Sequence, residues 1–332
     1  MTAKKPSFDV IAIGESLRDV FYLLHEASVS CSLHTERCLL CLEYAEKIPV
    51  QHIVKVHAAG NSANAAVGSA RLGLKSALVS WVGKDAAGQE IQFALETEGV
   101  DQKYVLVDEK SSTSEATLLI FKGERTQLVH FEPRTYVLPK LPSTRCIYYS
   151  AMGNKHQAFD KMLVAELKKR PETKFSFQPG TTHVRAGLSA IKALIRQSWL
   201  FILNKDEAHH LLPDGDRTIH NLCENFYHLG AKIVVITDGV KGAFAFDGKT
   251  HWHMPIFPGD AFERTGAGDS FATAVTCALL KNLDLPEALR WGAANSWSVV
   301  KQVGPQAGLL TESAMNKVLK AHSKYNARII SV

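Results

Sequence analysis

From residue 76 onward, short apolar runs alternate with longer amphipathic stretches, and this alternation limits the fold more than any other feature. The runs 77–82, 145–150, 174–177, 199–203 and 232–237 have the length and apolarity of buried strands. Between them, 86–98, 157–169, 186–196, 207–212 and 219–229 carry apolar residues at helical spacing. An earlier run, Phe8-Asp9-Val10-Ile11-Ala12-Ile13-Gly14, reads as a buried first strand. Such alternation predicts a mostly parallel sheet with helices on both faces. No linker rich in Pro, Gly or Ser and no repeat interrupts it, so one α/β domain over 1–332 is expected. At 46% hydrophobic residues the chain has ample material for its core.

Two segments depart from this pattern. Residues 21–56 alternate imperfectly and carry Pro49, as a partly exposed flap of strands would. Residues 115–121 and 126–131, joined by Lys122-Gly123-Glu124-Arg125, predict a hairpin. By contrast 62–72 is a run of small residues suited to a closely packed helix, with Gly60, Asn61 and Asn64 at its start. The two Asn residues suit helix caps as well as ligands.

The formal charge of +5 is spread over scattered Lys and Arg, with no basic stripe interleaved with aromatics, so nucleic acid is not an expected partner. A polar start and the lack of a bilayer-length apolar run point to a cytoplasmic enzyme with no membrane partner. Cys146, Cys223 and Cys277 fall in apolar segments and read as core thiols, and a disulfide framework is not expected at this size. Cys31, His34, Cys38 and Cys41 have spacings that zinc could use. Arg37, Leu39, Leu40 and Leu42 make that segment read instead as a strand, so ordinary cysteines of the flap are favoured.

The chemistry concentrates at Thr265-Gly266-Ala267-Gly268-Asp269-Ser270-Phe271. A polar approach leads into two glycines, and an apolar run follows at helical spacing, which predicts a helix N-terminus at 266–270. Its unpaired amides and positive dipole end suit an anion, and small residues allow a phosphate close to the backbone. Asp269 in that turn is either a base beside a phosphoryl group or merely a first-turn carboxylate.

This stretch, with Glu263 and Arg264 before it, resembles the C-terminal signature of the PfkB, or ribokinase-like, carbohydrate kinases. Gly60-Asn61-Ser62-Ala63-Asn64-Ala65-Ala66 through Val82-Gly83-Lys84-Asp85-Ala86-Ala87-Gly88 resembles their N-terminal signature, and Asn204-Lys205-Asp206-Glu207 their N-x-x-E motif. The likeness runs from about Val10 to Gly308. It implies a three-layer α/β/α sandwich with a small β lid from roughly 17–57 and 115–133, a surface that in this family often also forms a homodimer. It implies transfer of the ATP γ-phosphoryl group to a hydroxyl, with Asp269 as base and the amides of Gly266, Ala267 and Gly268 as anion hole. Asp19, Gly60, Asn61 and Asn64 would bind the sugar.

Asn204 and Glu207 would organise Mg²⁺, Glu207 through water, although together they also read as a helix capping box. Thr237, Gly239 and Gly242 would meet the nucleotide phosphates, and Asn295 lies where the family wraps adenine. Glu263 stands where an aspartate usually serves a monovalent cation, which leaves K⁺ open. Gly153 stands where ribokinases place an acidic residue, and Arg134 is either a contact to an anionic substrate or a solvated loop residue. A sugar, sugar acid or nucleoside remains open as acceptor. A non-catalytic ligand-binding regulator on the same fold is the alternative of another class. A nicotinamide-dependent dehydrogenase would need a G-x-G-x-x-G that does not follow Gly14.

Overall fold

A computed structural model describes residues 6–31, 38–213 and 218–330. Its frame is a ten-stranded sheet. The first strand, Phe8–Ile13, lies between Thr144–Tyr149 and Ser76–Gly83, parallel to both. Beyond Thr144–Tyr149 the sheet continues in parallel through Lys174–Phe177, Leu200–Asn204 and Ile233–Thr237. It closes with the antiparallel strands Ala243–Phe246, His251–Met254 and Arg328–Ile329. Val105–Asp108 forms the other edge.

Alternation along the strands builds two separate cores. Val10 and Ala12 face one, formed with the helices Asn61–Arg71, Ala86–Thr97, Ala267–Leu280, Leu285–Val299 and Glu312–Ala321. Ile11 and Ile13 face the other, formed with Gln157–Lys168, Leu188–Gln197 and Ile219–His228 among others. This is the ribokinase-like three-layer α/β/α arrangement. The small residues of Asn61–Arg71 let it lie close against Ala267–Leu280: a Cβ added to Gly68 would meet Thr273 Cγ2 at 2.9 Å.

A second, four-stranded sheet runs in the order Val50–Ala59, Leu17–Leu24, Glu115–Phe121, Glu124–His130. Leu17, Phe21, Ala59, Ala116, Leu118 and Ile120 give it a small core of its own.

Two expectations change. Cys31 and Cys38 are disulfide-bonded, with Cα atoms 4.1 Å apart, because they stand directly opposite each other in the ribbon Ser28–Cys31/Cys38–Cys41. Spacing alone does not reveal that pairing, and it removes both thiols as zinc ligands; Cys41 is free and exposed, and His34 lies outside the described residues. The stretch 186–196 begins at Leu188, because Gly187 at φ 82° separates Leu188–Gln197 from a short helix, Thr181–Ala186.

Candidate active site

In an open parallel sheet, ligands bind beyond the carboxyl ends of the strands. Those ends converge here on a cavity of about 640 Å³. Glu15 and Asp19 reach it after the first strand, Met152 and Asn154 after Thr144–Tyr149, and Gln178 after Lys174–Phe177; Asn204 and Thr237 end their own strands. The second sheet borders the cavity with Arg125, Gln127 and Val129, followed by Phe131 just past the strand end.

The floor is the start of Ala267–Leu280. Gly266 caps it at φ 80°, a left-handed conformation suited to glycine, and an added Cβ would meet Pro305 Cβ at 2.4 Å. Gly268 opens onto the cavity, with only Gln178 Nε2 at 4.0 Å. The Ala267 amide donates to the Arg264 carbonyl at 3.3 Å, so it is not a free donor for an anion. The amides of Gly266, Gly268 and Asp269 make no other hydrogen bond among the described residues, which leaves them for a ligand.

Asp269 is half-buried and held on both sides. Asn64 Nδ2 donates to Oδ2 at 2.8 Å and Gln178 Nε2 to Oδ1 at 3.0 Å. Each amide is itself fixed: Gln306 donates to Asn64 Oδ1 at 2.9 Å, and the Tyr148 hydroxyl donates to Gln178 Oε1. Burial raises the Asp269 pKa above the ordinary carboxylate value, and the two amide bonds oppose that shift. Asn64 therefore spends its amide on Asp269 and Gln306. Gln178, Gln306 and Tyr148 carry no motif; their roles depend on contacts far apart in the chain.

Asp19 lies close by, 4% exposed, and its Oδ1 has no hydrogen-bond partner among the described residues. Burial, then the charge of Asp269, pushes its pKa up to about 7. Glu15 is 1% exposed; Oε1 accepts from Ser114 and Arg134, and the Tyr136 hydroxyl also bonds to its carboxylate. Sequence patterns did not single out Glu15. Gly60 and Asn61 line the same end.

At the other end Asn204 and Glu207 form the capping box of Lys205–Leu211. Asn204 Oδ1 accepts from the Glu207 amide and Glu207 Oε2 from the Asn204 amide, both at 2.8 Å. The capping reading thus holds, and both residues still line the cavity. Burial, opposed by the Asn204 amide bond, and then the Asp269 charge push the Glu207 pKa up to about 7.

Several anticipated residues stand elsewhere. Arg134 is neither solvated nor in the cavity; it is buried, bonded to Glu15, Ser111 and the Ser112 carbonyl, because it braces the loop beneath Glu15. Asn295 is fully buried, donating to the Ser270 carbonyl at 2.9 Å and accepting from the Leu310 amide at 3.0 Å, so its side chain is occupied within the core. Glu263 turns inward: its oxygens accept from the Thr265 amide and hydroxyl at 2.6 and 2.5 Å and the Gly304 amide at 3.3 Å. Gly242 is a close-approach position, where a Cβ would meet the Met254 carbonyl oxygen at 2.1 Å; Gly239 is exposed in the turn ahead of it. Gly153 has Tyr136 Oη where its Cβ would go, at 2.3 Å, and Asn154 faces the cavity instead.

A family model described as pfkB family carbohydrate kinase matches residues 26–312. The chain is 24% identical over 313 residues to an ATP-dependent 6-phosphofructokinase of Thermoanaerobacterium thermosaccharolyticum, covering 90% of this chain and 89% of that one. It is 25% identical over 352 aligned positions to the 5-dehydro-2-deoxygluconokinase of Bacillus subtilis, covering 96% and 98%. The structure of Arabidopsis thaliana ribokinase complexed with ribose and ATP superposes with a TM-score of 0.77 at 19% identity, over 96% of this chain and 99% of that one. The chain belongs to the pfkB family of carbohydrate kinases, phosphotransferases that use an alcohol group as acceptor.

Proposed function

We propose that this protein transfers the γ-phosphoryl group of ATP to a hydroxyl, in this family usually a primary one, of a small sugar or sugar-like acceptor. The reading treats the chain as one kinase domain in which the sheet from 17–57 and 115–133 closes as a lid. One observation carries it: the Asp269 carboxylate, fixed by Asn64 and Gln178, stands in the first turn of a helix whose free amides open onto the same cavity. A base and an anion hole one residue apart suit the alignment that phosphoryl transfer needs.

In that arrangement Asp269 takes the proton of the acceptor hydroxyl while the oxygen bonds to the γ-phosphorus and the bond to ADP breaks. The amides of Gly266, Gly268 and Asp269 hold the charge on the phosphoryl oxygens. Asp19, with an unpaired buried oxygen, receives an acceptor hydroxyl beside Gly60 and Asn61. Thr237 and Asn204 border the nucleotide end. Glu207 keeps one carboxylate oxygen outside its capping box, a hard donor that fits Mg²⁺ retaining its waters. When bound, that ion supplies charge neutralisation on the phosphates.

Coupled ADP release with Mg-ATP, across neutral sugars, sugar acids, sugar phosphates and nucleosides, tests the reading. The expected result is ADP release that depends on at least one acceptor. No acceptor-dependent release with any of them contradicts it.

A further inference from the structure

We propose that the acceptor carries a negative charge, as a carboxylate or phosphate ester on a polyhydroxylated carbon chain, and that Arg125 recognises it. The inference rests on the kinase reading above and narrows its substrate class. It starts from an imbalance at the acceptor end. Glu15, Asp19 and Asp269 all line this space, and Asp19 keeps a buried carboxylate oxygen with no partner among the described residues, whereas Glu15 is taken up by Ser114, Arg134 and the Tyr136 hydroxyl. Carboxylates with free lone pairs suit a ligand rich in hydroxyl donors.

Arg125 is the counterweight. It stands on the strand Glu124–His130, where the two-residue period turns Arg125, Gln127 and Val129 to the cavity. Its neighbour Glu124 pairs with Arg264 at 3.1 Å, so Arg264 already has a partner. Arg125 makes no hydrogen bond or ion pair among the described residues, although its charge opposes the upward shifts of both Asp19 and Asp269. Arg18, Arg71, Arg134, Arg145, Arg170 and Arg290, by contrast, are all bonded to protein groups.

Closing the second sheet over an acceptor removes water from Arg125, and a desolvated guanidinium needs an anionic or multiply accepting partner. Carboxylate and phosphate both match its fork of donors. Other donors in the lining are available for the ATP phosphates: the free amides of Gly266, Gly268 and Asp269, and Arg185 on Thr181–Ala186.

The test is steady-state kinetics with Mg-ATP on matched acceptors: fructose with fructose 6-phosphate, ribose with ribose 5-phosphate, and glucose with gluconate and 2-dehydro-3-deoxygluconate. The expected result is a kcat/KM at least about tenfold higher for an anionic member than for its neutral partner. Arg125→Gln should lower that preference on the order of 10- to 100-fold, through KM for the anionic acceptor and not KM for ATP. Arg125→Lys should restore part of it. The phosphate and carboxylate arms separate the two sources of charge. Equal or better use of neutral sugars, or a rise in KM for ATP as large as that for the acceptor, overturns the inference while leaving the kinase reading intact. No phosphoryl transfer to any acceptor overturns both.

Discussion

Asp19 is placed where its charge is costly. Its pKa of about 7, set first by burial and then by Asp269, lies far above the ordinary carboxylate value. The folded state therefore holds a proton there that the unfolded chain releases near pH 4, and this contribution to stability is lost as pH rises through about 7. Asp19→Asn stays neutral throughout. It should raise the melting temperature at pH 8 by at least about 2–4 °C, with the gap shrinking toward pH 5 and activity reduced. A thermal melt series from pH 5 to 8 checks it; an equal gap at every pH would count against the burial account.

Gly266 supports a second expectation at this scale. Gly266→Ala places a Cβ against Pro305 and forces a left-handed conformation on alanine, so stability should fall by about 1–3 kcal/mol and kcat should drop with it. Urea denaturation beside kinetics measures both. A variant as stable and active as the parent would show that the turn tolerates rearrangement.

Among the elements, the short helix Thr181–Ala186 is tied to groups outside itself. It brings Thr181, Thr182 and Arg185 to the cavity. Behind it lies a buried network: His156 Nδ1 meets Asp160 Oδ2 at 2.8 Å, Tyr149 donates to Asp160 Oδ1 at 2.5 Å, and His183 Nε2 meets the Tyr149 hydroxyl at 3.2 Å. His156, Asp160 and His183 are close enough to share an ion. However, the Gly180 amide donates to His183 Nδ1 at 3.2 Å, so the proton of the neutral ring sits on Nε2, where a metal would have to bind. The cluster reads as a hydrogen-bonded brace. These bonds hold the Asp160 carboxyl well below its ordinary pKa despite burial, so their stabilisation is present at neutral pH and lost as pH falls below the ordinary carboxylate range. Asp160→Ala should destabilise the fold by about 3–5 kcal/mol in urea titration at pH 7. A loss under about 1 kcal/mol would argue that the network is replaceable.

Legibility followed distance along the chain. The glycine turn, its helix and Asp269 were readable because caps and helix starts are local. The capping box of Asn204 and Glu207 was readable for the same reason. Gln178, Gln306 and Tyr148 were not, since each acquires its role only when remote strands and loops meet at Asp269. Arg134 and Asn295 misled because position along the chain says nothing about which way a side chain is committed. The Cys31–Cys38 pair was hidden in the register of a short ribbon.

At the scale of the molecule, two sheets face each other across one cavity, and the smaller has only a modest core. As the proposed lid, it would close only with ligand bound. Amides of Leu17–Leu24 and Glu115–Phe121 should exchange hydrogen more slowly with acceptor and a non-hydrolysable ATP analogue bound than in the free protein, while the first strand should change little. Protection that rises evenly over the whole chain would speak for general stabilisation instead of closure.

The central claim, that Asp269 is the base of a phosphoryl transfer, is tested most directly by Asp269→Asn in single-turnover kinetics, with ligand binding followed by calorimetry. The account predicts a rate lower by about 10²–10⁴-fold with ATP and acceptor affinity retained. A rate within tenfold of the parent at full occupancy would contradict it.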